Sequence, residues 1–255
     1  MEMHLEVLPT AALAADAAAR HVVLVARDAI RARGECVVAL AGGSTPRSMY
    51  QRLAHEPLAS SLDWSRIQVL WGDERCVPPD DEASNYRMAR EALLDHVPIP
   101  PANVHRIHGE DDPAGAAAAY ERLLRRLLRT PSGPPRAVPG RRIDLALLGL
   151  GEDGHTASLF PGSIAANDDP RWARVEHPAG MSVRRVTLTP AIINAAAEVA
   201  FLVLGAAKAA IVRQVLEGPC RPDELPAQLI APTAGQVRWF LDSAAAEARS
   251  LEGGS

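Results

Sequence analysis

Four short segments of this 255-residue chain hold residue types that could do chemistry together. The first is Gly42-Gly43-Ser44-Thr45, just ahead of Pro46. Two glycines let the backbone approach a ligand closely. Hydroxyls beside the free N–H groups of a helix start suit a phosphate or another anion. The spacing is not that of a P-loop, and Pro46 stands where a nucleophile elbow needs glycine. A tight turn before a capped helix is the plainer alternative.

The second segment is Asp73-Glu74-Arg75, directly after the apolar run Ile67–Trp71. Charges there are costly unless they face a cleft or water. Such a run can orient one group against another, and a solvated turn holding an Asp–Arg pair fits it equally well. The third is Gly149-Leu150-Gly151-Glu152-Asp153-Gly154-His155. Its glycines spell the dinucleotide fingerprint. Yet Glu152 and Asp153 would put negative charge where a pyrophosphate must sit, and no strand ending in an acid follows about 20 residues on. The distinctive part is Asp153-Gly154-His155. Histidine accepts a proton near neutral pH, and a nearby carboxylate can fix its tautomer. A glycine-rich loop is an unusual place for a core histidine, so His155 is the candidate general base.

The fourth is a pair of cationic stretches, Arg184-Arg185 and Gly205-Ala206-Ala207-Lys208. Lys208 is the only lysine in a chain whose other basic residues are arginines. A compact ammonium differs from a planar guanidinium, so the exception marks either a selected position or chance retention on a helix surface. In the first turn of a helix a cation opposes the dipole, which makes sense if an anion bridges the two. Arg184 and Arg185 point opposite ways in an extended segment, so only one of them easily enters a site.

These loops must be held by something. Continuous apolar runs at Cys36–Ala41, Ile67–Trp71, Ile143–Leu148 and Val199–Leu204 predict strands covered on both faces. Helical patterns alternate with them at Thr10–Arg33, Pro46–Ala54, Ser84–Asp95, Pro113–Arg129 and Ala206–Glu217, with a last helix at Ser243–Leu251. Gly34 suits the end of the first, while Thr45, Asp112, Thr189 and Asp242 are the expected N-caps. The alternation predicts an α/β fold of the three-layer αβα kind, Rossmann-like, with a mostly parallel sheet, and the length leaves room for a small lobe. Ligands of such folds sit beyond the carboxyl ends of the strands, where all four segments fall. Stretches 130–142 and 167–181 read as irregular, and the tail 253–255 as loose.

Composition narrows the partners. A net charge of −4 argues against nucleic acid. No apolar run reaches about 18 residues, so no membrane span is expected. The start, Met1-Glu2-Met3-His4, has no signal-peptide pattern. Cys36, Cys76 and Cys220 are scattered and odd in number, as expected of a reducing, cytoplasmic compartment without disulfides or thiolate zinc. His105 and His108 lack a ligand set, so no metal is expected and both read as surface residues.

Taken in order, AGGSTP (41–46), WGDERCVP (71–78), SNYRMAREALL (84–94), PIPPANVHRI (98–107), DLALLGLGEDGHTASLFPGS (144–163), RRVTLTPAIINAA (184–196), GAAKA (205–209) and WFLD (239–242) resemble the 6-phosphogluconolactonases. The resemblance covers nearly the whole chain. It implies one domain over 1–255 with the fold shared by sugar-phosphate isomerases, deaminases and lactonases. Related deaminases typically continue Asp-Gly-His with Ile-Ala-Phe-Asn-Glu-Pro; here Thr156-Ala157-Ser158-Leu159-Phe160-Pro161 follows, the lactonase form.

The implied reaction is hydrolysis of 6-phosphogluconolactone, in the oxidative pentose phosphate pathway. His155 would act as base, Asp153 as its orienter, Arg75 would face the oxyanion, and Asp73 would hold Arg75 or ring hydroxyls. Gly42, Gly43, Ser44, Thr45, Arg185 and Lys208 would bind the phosphate. No cofactor is implied, and the expected state is a monomer or weak homo-oligomer. An amino-sugar-phosphate deaminase/isomerase and a non-catalytic sugar-phosphate-binding protein are the alternatives.

Overall fold

The computed structural model describes residues 2–128, 142–162, 170–178 and 180–248. Nine strands are described: β1 (Glu2–Leu8), β2 (Cys36–Leu40), β3 (Ile67–Trp71), β4 (Asp73–Arg75), β5 (Leu145–Leu148), β6 (Ala173–Glu176), β7 (Arg185–Leu188), β8 (Glu198–Val203) and β9 (Gln236–Asp242). Six of them form one sheet in the order β1-β9-β8-β5-β2-β3. Every neighbouring pair in it is parallel. The four apolar runs are β2, β3, β5 and β8, and all but Gln68 of their residues are buried.

The helices are α1 (Ala11–Arg33), α2 (Ser44–Leu53), α3 (Asn85–Ala92), α4 (Pro113–Leu127), α5 (Pro190–Ile193), α6 (Ala209–Glu217) and α7 (Ser243–Ala246). In α1 the buried positions Ala14, Ala15, Ala18, Ala19, Val22, Val23, Ala26 and Ala29 recur at helical spacing, and such small residues allow close seating on the sheet. Thr10 caps its start by accepting from the Leu13 N–H, and Gly34, left-handed at φ 83°, ends it. Asp112 and Asp242 cap α4 and α7 in the same way.

Alternation along β9 shows that both sheet faces are covered. Phe240 meets the His21 ring of α1, while its neighbour Trp239 points the other way and stacks on Phe201 at 3.9 Å, both buried.

Three expectations are corrected. Thr45 is not a cap: α2 begins at Ser44, and Gly43, at φ 91°, is the cap residue without a side-chain hydrogen bond. Thr189 precedes α5, but its hydroxyl donates to the Arg171 carbonyl instead of capping. Lys208 ends a 3₁₀ turn, Ala206–Lys208, and α6 proper starts at Ala209. A second sheet, order β4-β7-β6 and antiparallel throughout, was not foreseen. The 253–255 tail and nearly all of the stretch 130–142 lie outside the described residues, whereas the stretch 167–181 is not irregular throughout, because it contains β6 (Ala173–Glu176).

Candidate active site

The parallel sheet is built outward in two directions. From β2 the chain continues to β3 on one side; from β5 it continues to β8 and then β9 on the other. A crevice opens between the loops at such a reversal, because successive connections leave on opposite faces. Here it is a cleft of about 420 Å³, lined by Gly42–Thr45 after β2, by Asp73 and Arg75 after β3, by Gly149–Glu152 and His155 after β5, by Arg185 of β7 and by Lys208 after β8. Asp153 stands behind His155, not in the wall.

The β2–α2 loop approaches its neighbours closely. A Cβ built on Gly42 would lie 1.9 Å from the Asn85 amide oxygen, so any side chain there would collide with Asn85. With no side chain capping α2, its first N–H groups are left for solvent or an anion.

His155 sits in a loop that folds back on itself, with the Gly151 N–H donating to the His155 carbonyl at 2.8 Å. No helix occurs within 149–162, so the glycine spacing lacks the helix a dinucleotide fingerprint requires. The ring is partly exposed, and its Nδ1 lies 2.5 Å from Asp153 Oδ1, which also accepts from the His155 backbone N–H at 3.1 Å. Burial alone would raise the Asp153 pKa, but these donors outweigh it and hold the carboxyl below its ordinary value. An ionised Asp153 fixes the proton on Nδ1 and leaves the lone pair on Nε2. The ring also rests against Phe160, with centroids 4.6 Å apart.

Asp73 does not hold Arg75. Its carboxylate accepts from Ser158 Oγ at 2.6 Å and Asn85 Nδ2 at 3.2 Å, and Ser158 N–H donates to Thr187 Oγ1. This buried polar set ties the histidine loop to β4 and β7. Within the loop, Ala157 adopts φ 48°, uncommon without glycine.

Glu74 is buried and accepts from the backbone N–H groups of Arg75, Asn85 and Tyr86, at 2.7 to 2.8 Å, and from Ser84 Oγ. Burial nevertheless pushes its carboxyl above the usual range. It fastens the start of α3 to β4, which places Arg75.

Arg185 lines the cleft, whereas Arg184 is exposed outside it. Burial first, and then the nearby Arg75 charge, lower the pKa of Arg185. Lys208 Nζ stands 3.9 Å from Glu152 Oε1, a loose pairing with an exposed carboxylate. His105 is not a surface residue: it is half-buried, with Nε2 2.7 Å from Gln68 Oε1, while His108 is exposed. Asn85, Ser158 and Thr187 had no assigned part in the sequence reading. Their only signal was position within or beside the motifs at 84–94, 144–163 and 184–196.

Such a crevice, in an α/β protein with a free helix start, three cations and an oriented histidine, suits a small anionic ligand. The family model described as "Glucosamine-6-phosphate isomerases/6-phosphogluconolactonase" matches residues 9–239, and the chain belongs to that family. Among curated relatives, 6-phosphogluconolactonase of Synechocystis sp. is 41% identical over 86% of this chain and 87% of its own length. The protein of that name from Haemophilus influenzae is 35% identical over 82% and 85%. The solved 6-phosphogluconolactonase of Trypanosoma brucei superposes with a TM-score of 0.84 at 34% identity, covering 96% of this chain and 98% of that one. A monomeric glucosamine-6-phosphate deaminase shares the fold, with a TM-score of 0.78 at 22% identity, covering 98% and 100%.

Proposed function

We propose that the chain is a 6-phosphogluconolactonase that hydrolyses 6-phospho-D-glucono-1,5-lactone to 6-phosphogluconate, a step of the oxidative pentose phosphate pathway. The observation that carries this is the sharing of one cleft by His155, with Nδ1 engaged by Asp153, and by the cations Arg75, Arg185 and Lys208.

In this reading the phosphate sits on the free N–H groups of the Gly42–Thr45 loop, neutralised by Arg185 and Lys208. Binding of that remote group positions the lactone carbonyl. His155 Nε2 removes a proton from a water as its oxygen attacks C1. The carbonyl π pair moves onto oxygen, and Arg75 stabilises that oxyanion. Collapse re-forms the carbonyl and breaks the bond from C1 to the ring oxygen, which receives the proton from His155. Water is thereby added across the ester, and no acyl-enzyme or cofactor is required, because a lactone is already a reactive ester. Asp73 acts by holding the Ser158 loop in place rather than by gripping Arg75.

The deciding experiment adds purified protein to freshly generated lactone and follows proton release. Acceleration beyond spontaneous hydrolysis, lost in His155→Ala, is expected. Ammonia release from glucosamine 6-phosphate would instead support the deaminase alternative, and phosphate-ester binding without turnover the non-catalytic one.

A further inference from the structure

We infer that two copies of this chain associate through the open edge of β1, forming a two-fold dimer with one continuous sheet. Among the described residues β1 pairs only with β9, so one side of its seven-residue backbone carries donors and acceptors without a strand partner there. Edge strands are usually protected by proline, a bulge, charged side chains or a covering element, because a bare edge is a template for another strand; of these β1 has only the charges of Glu2, His4 and Glu6, which repel other strands but can complement a second copy. The segment Glu-Met-His-Leu-Glu-Val-Leu has no proline, and its register with β9 runs without a bulge from Glu2 to Leu8.

The apolar surface points to the same place. Among the described residues, the large hydrophobic side chains left exposed are Met3 (50%), Val7 (44%), Leu13 (48%), Leu24 (59%) and Met181 (44%). Met181 lies beside Arg185 at the cleft. The other four are on β1 and α1. Met3 and Val7 share the Trp239 face of the sheet, while Leu13 and Leu24 lie eleven residues apart on α1, the same side of a helix. Apolar groups therefore flank the edge on both faces.

The sequence of β1 selects the occupant. Antiparallel pairing of two copies about Leu5 places Met3 opposite Val7 and His4 opposite Glu6, twice each by symmetry, and confines the mismatch of Glu2 with Leu8 to the ends of the strand. Sliding two residues one way sets Glu2 against Glu6, and two residues the other way sets Glu6 against its own copy. A slip of one residue sets charged groups against apolar ones and turns the faces over. Self-pairing about Leu5 is the register in which β1 complements itself. In a single copy His4 Nε2 rests 3.1 Å from Glu2 Oε1, an exposed contact that leaves Glu6 available.

Sedimentation of the full chain across micromolar concentrations tests this. A reversible dimer is expected, and Val7→Lys, at an exposed position, should leave a monomer with unchanged circular dichroism and lactone hydrolysis. His4→Glu should weaken the dimer on the order of tenfold, because two like-charge pairs replace two favourable ones. The His4→Glu, Glu6→His double variant should recover the affinity.

Leu5→Cys in a Cys220→Ser background should cross-link to its own copy under mild oxidation, since directly opposite residues lie within disulfide reach. A monomer at every concentration would overturn the proposal. So would a dimer that ignores Val7→Lys and fails to cross-link, or a higher assembly. These readouts need no turnover, so they stand apart from the lactonase assignment.

Discussion

Arg75 and Arg185 stand directly opposite one another across β4 and β7. Like charges in that position repel, and among the described residues neither guanidinium forms an ion pair. Arg75 Nη1 donates to the Ala83 carbonyl, Arg185 Nη2 meets Met181 Sδ, and the Nε of each is buried without a partner. Unpaired cations held together this way form a site organised for an anion before it arrives.

Charge removal should therefore act on binding. Lys208→Ala or Arg185→Ala should raise KM roughly ten- to hundredfold, the effect of losing one charge-assisted hydrogen bond to phosphate, with a smaller change in kcat. Arg75→Ala should lower kcat more than it raises KM if it faces the oxyanion. Steady-state kinetics separate the two patterns, and a Lys208 variant with unaltered KM would move the phosphate elsewhere.

Removing the imidazole should act on turnover. His155→Ala should lower kcat by about 10² to 10⁴, typical of a lost general base, while a competing sugar phosphate binds nearly as before. In the parent protein kcat should fall on the acid side, because a general base must be unprotonated to accept a proton. Asp153 stays ionised to below the ordinary carboxylate range, so it does not produce that limb. A flat acid profile would remove histidine from the mechanism.

The Gly42–Asn85 contact gives a packing test. Gly42→Ala should destabilise the fold by about 1–3 kcal/mol, as overpacked sites do, and displace Asn85 from Asp73. Adding Asn85→Ala should restore much of the stability, because the colliding amide is gone, without restoring activity. Thermal unfolding of the single and double variants reads the coupling, and additive losses would argue against it.

A pH effect on stability is expected from a pair that does not line the cleft. Arg106 donates two hydrogen bonds to Glu110, at 2.6 and 2.8 Å, and lowers its carboxyl from 4.5 to about 2. The folded pKa is depressed, so the pair's contribution is present above the unfolded value and disappears as pH falls toward 2. Glu110→Gln should reduce stability near neutral pH by less than about 1 kcal/mol, given the partial exposure. It should also flatten acid unfolding over that interval, as followed by circular dichroism.

The parts of the molecule legible in the sequence are those with a strong local cause. β2, β3, β5 and β8 are covered on both faces and read as unbroken apolar runs. Thr10, Gly34, Asp112 and Asp242 announce helix ends through hydrogen bonds to nearby backbone. The segments at 42–45, 73–75, 149–155 and 205–208 were legible because each follows a strand, whereas Arg185 opens β7 itself.

β1 and β9 were missed because Glu2, His4 and Glu6, and Gln236 and Arg238, break the apolar pattern that marks an interior strand. β4, β6 and β7, three or four residues each, are too short for any periodicity. The link from Ser158 to Asp73 joins residues 85 positions apart, and no local spacing reports such a bond.

The place of β9 has a consequence for how the chain is made. Gln236–Asp242 lies between β1 and β8. During synthesis β1 has no neighbour in this sheet until β9 follows it. β1 must then wait for β9, whereas α1 already has α2 and β2 to pack against. Closure by β9 makes loss of that strand as damaging as loss of β1, and it gives chaperones a long interval in which to act.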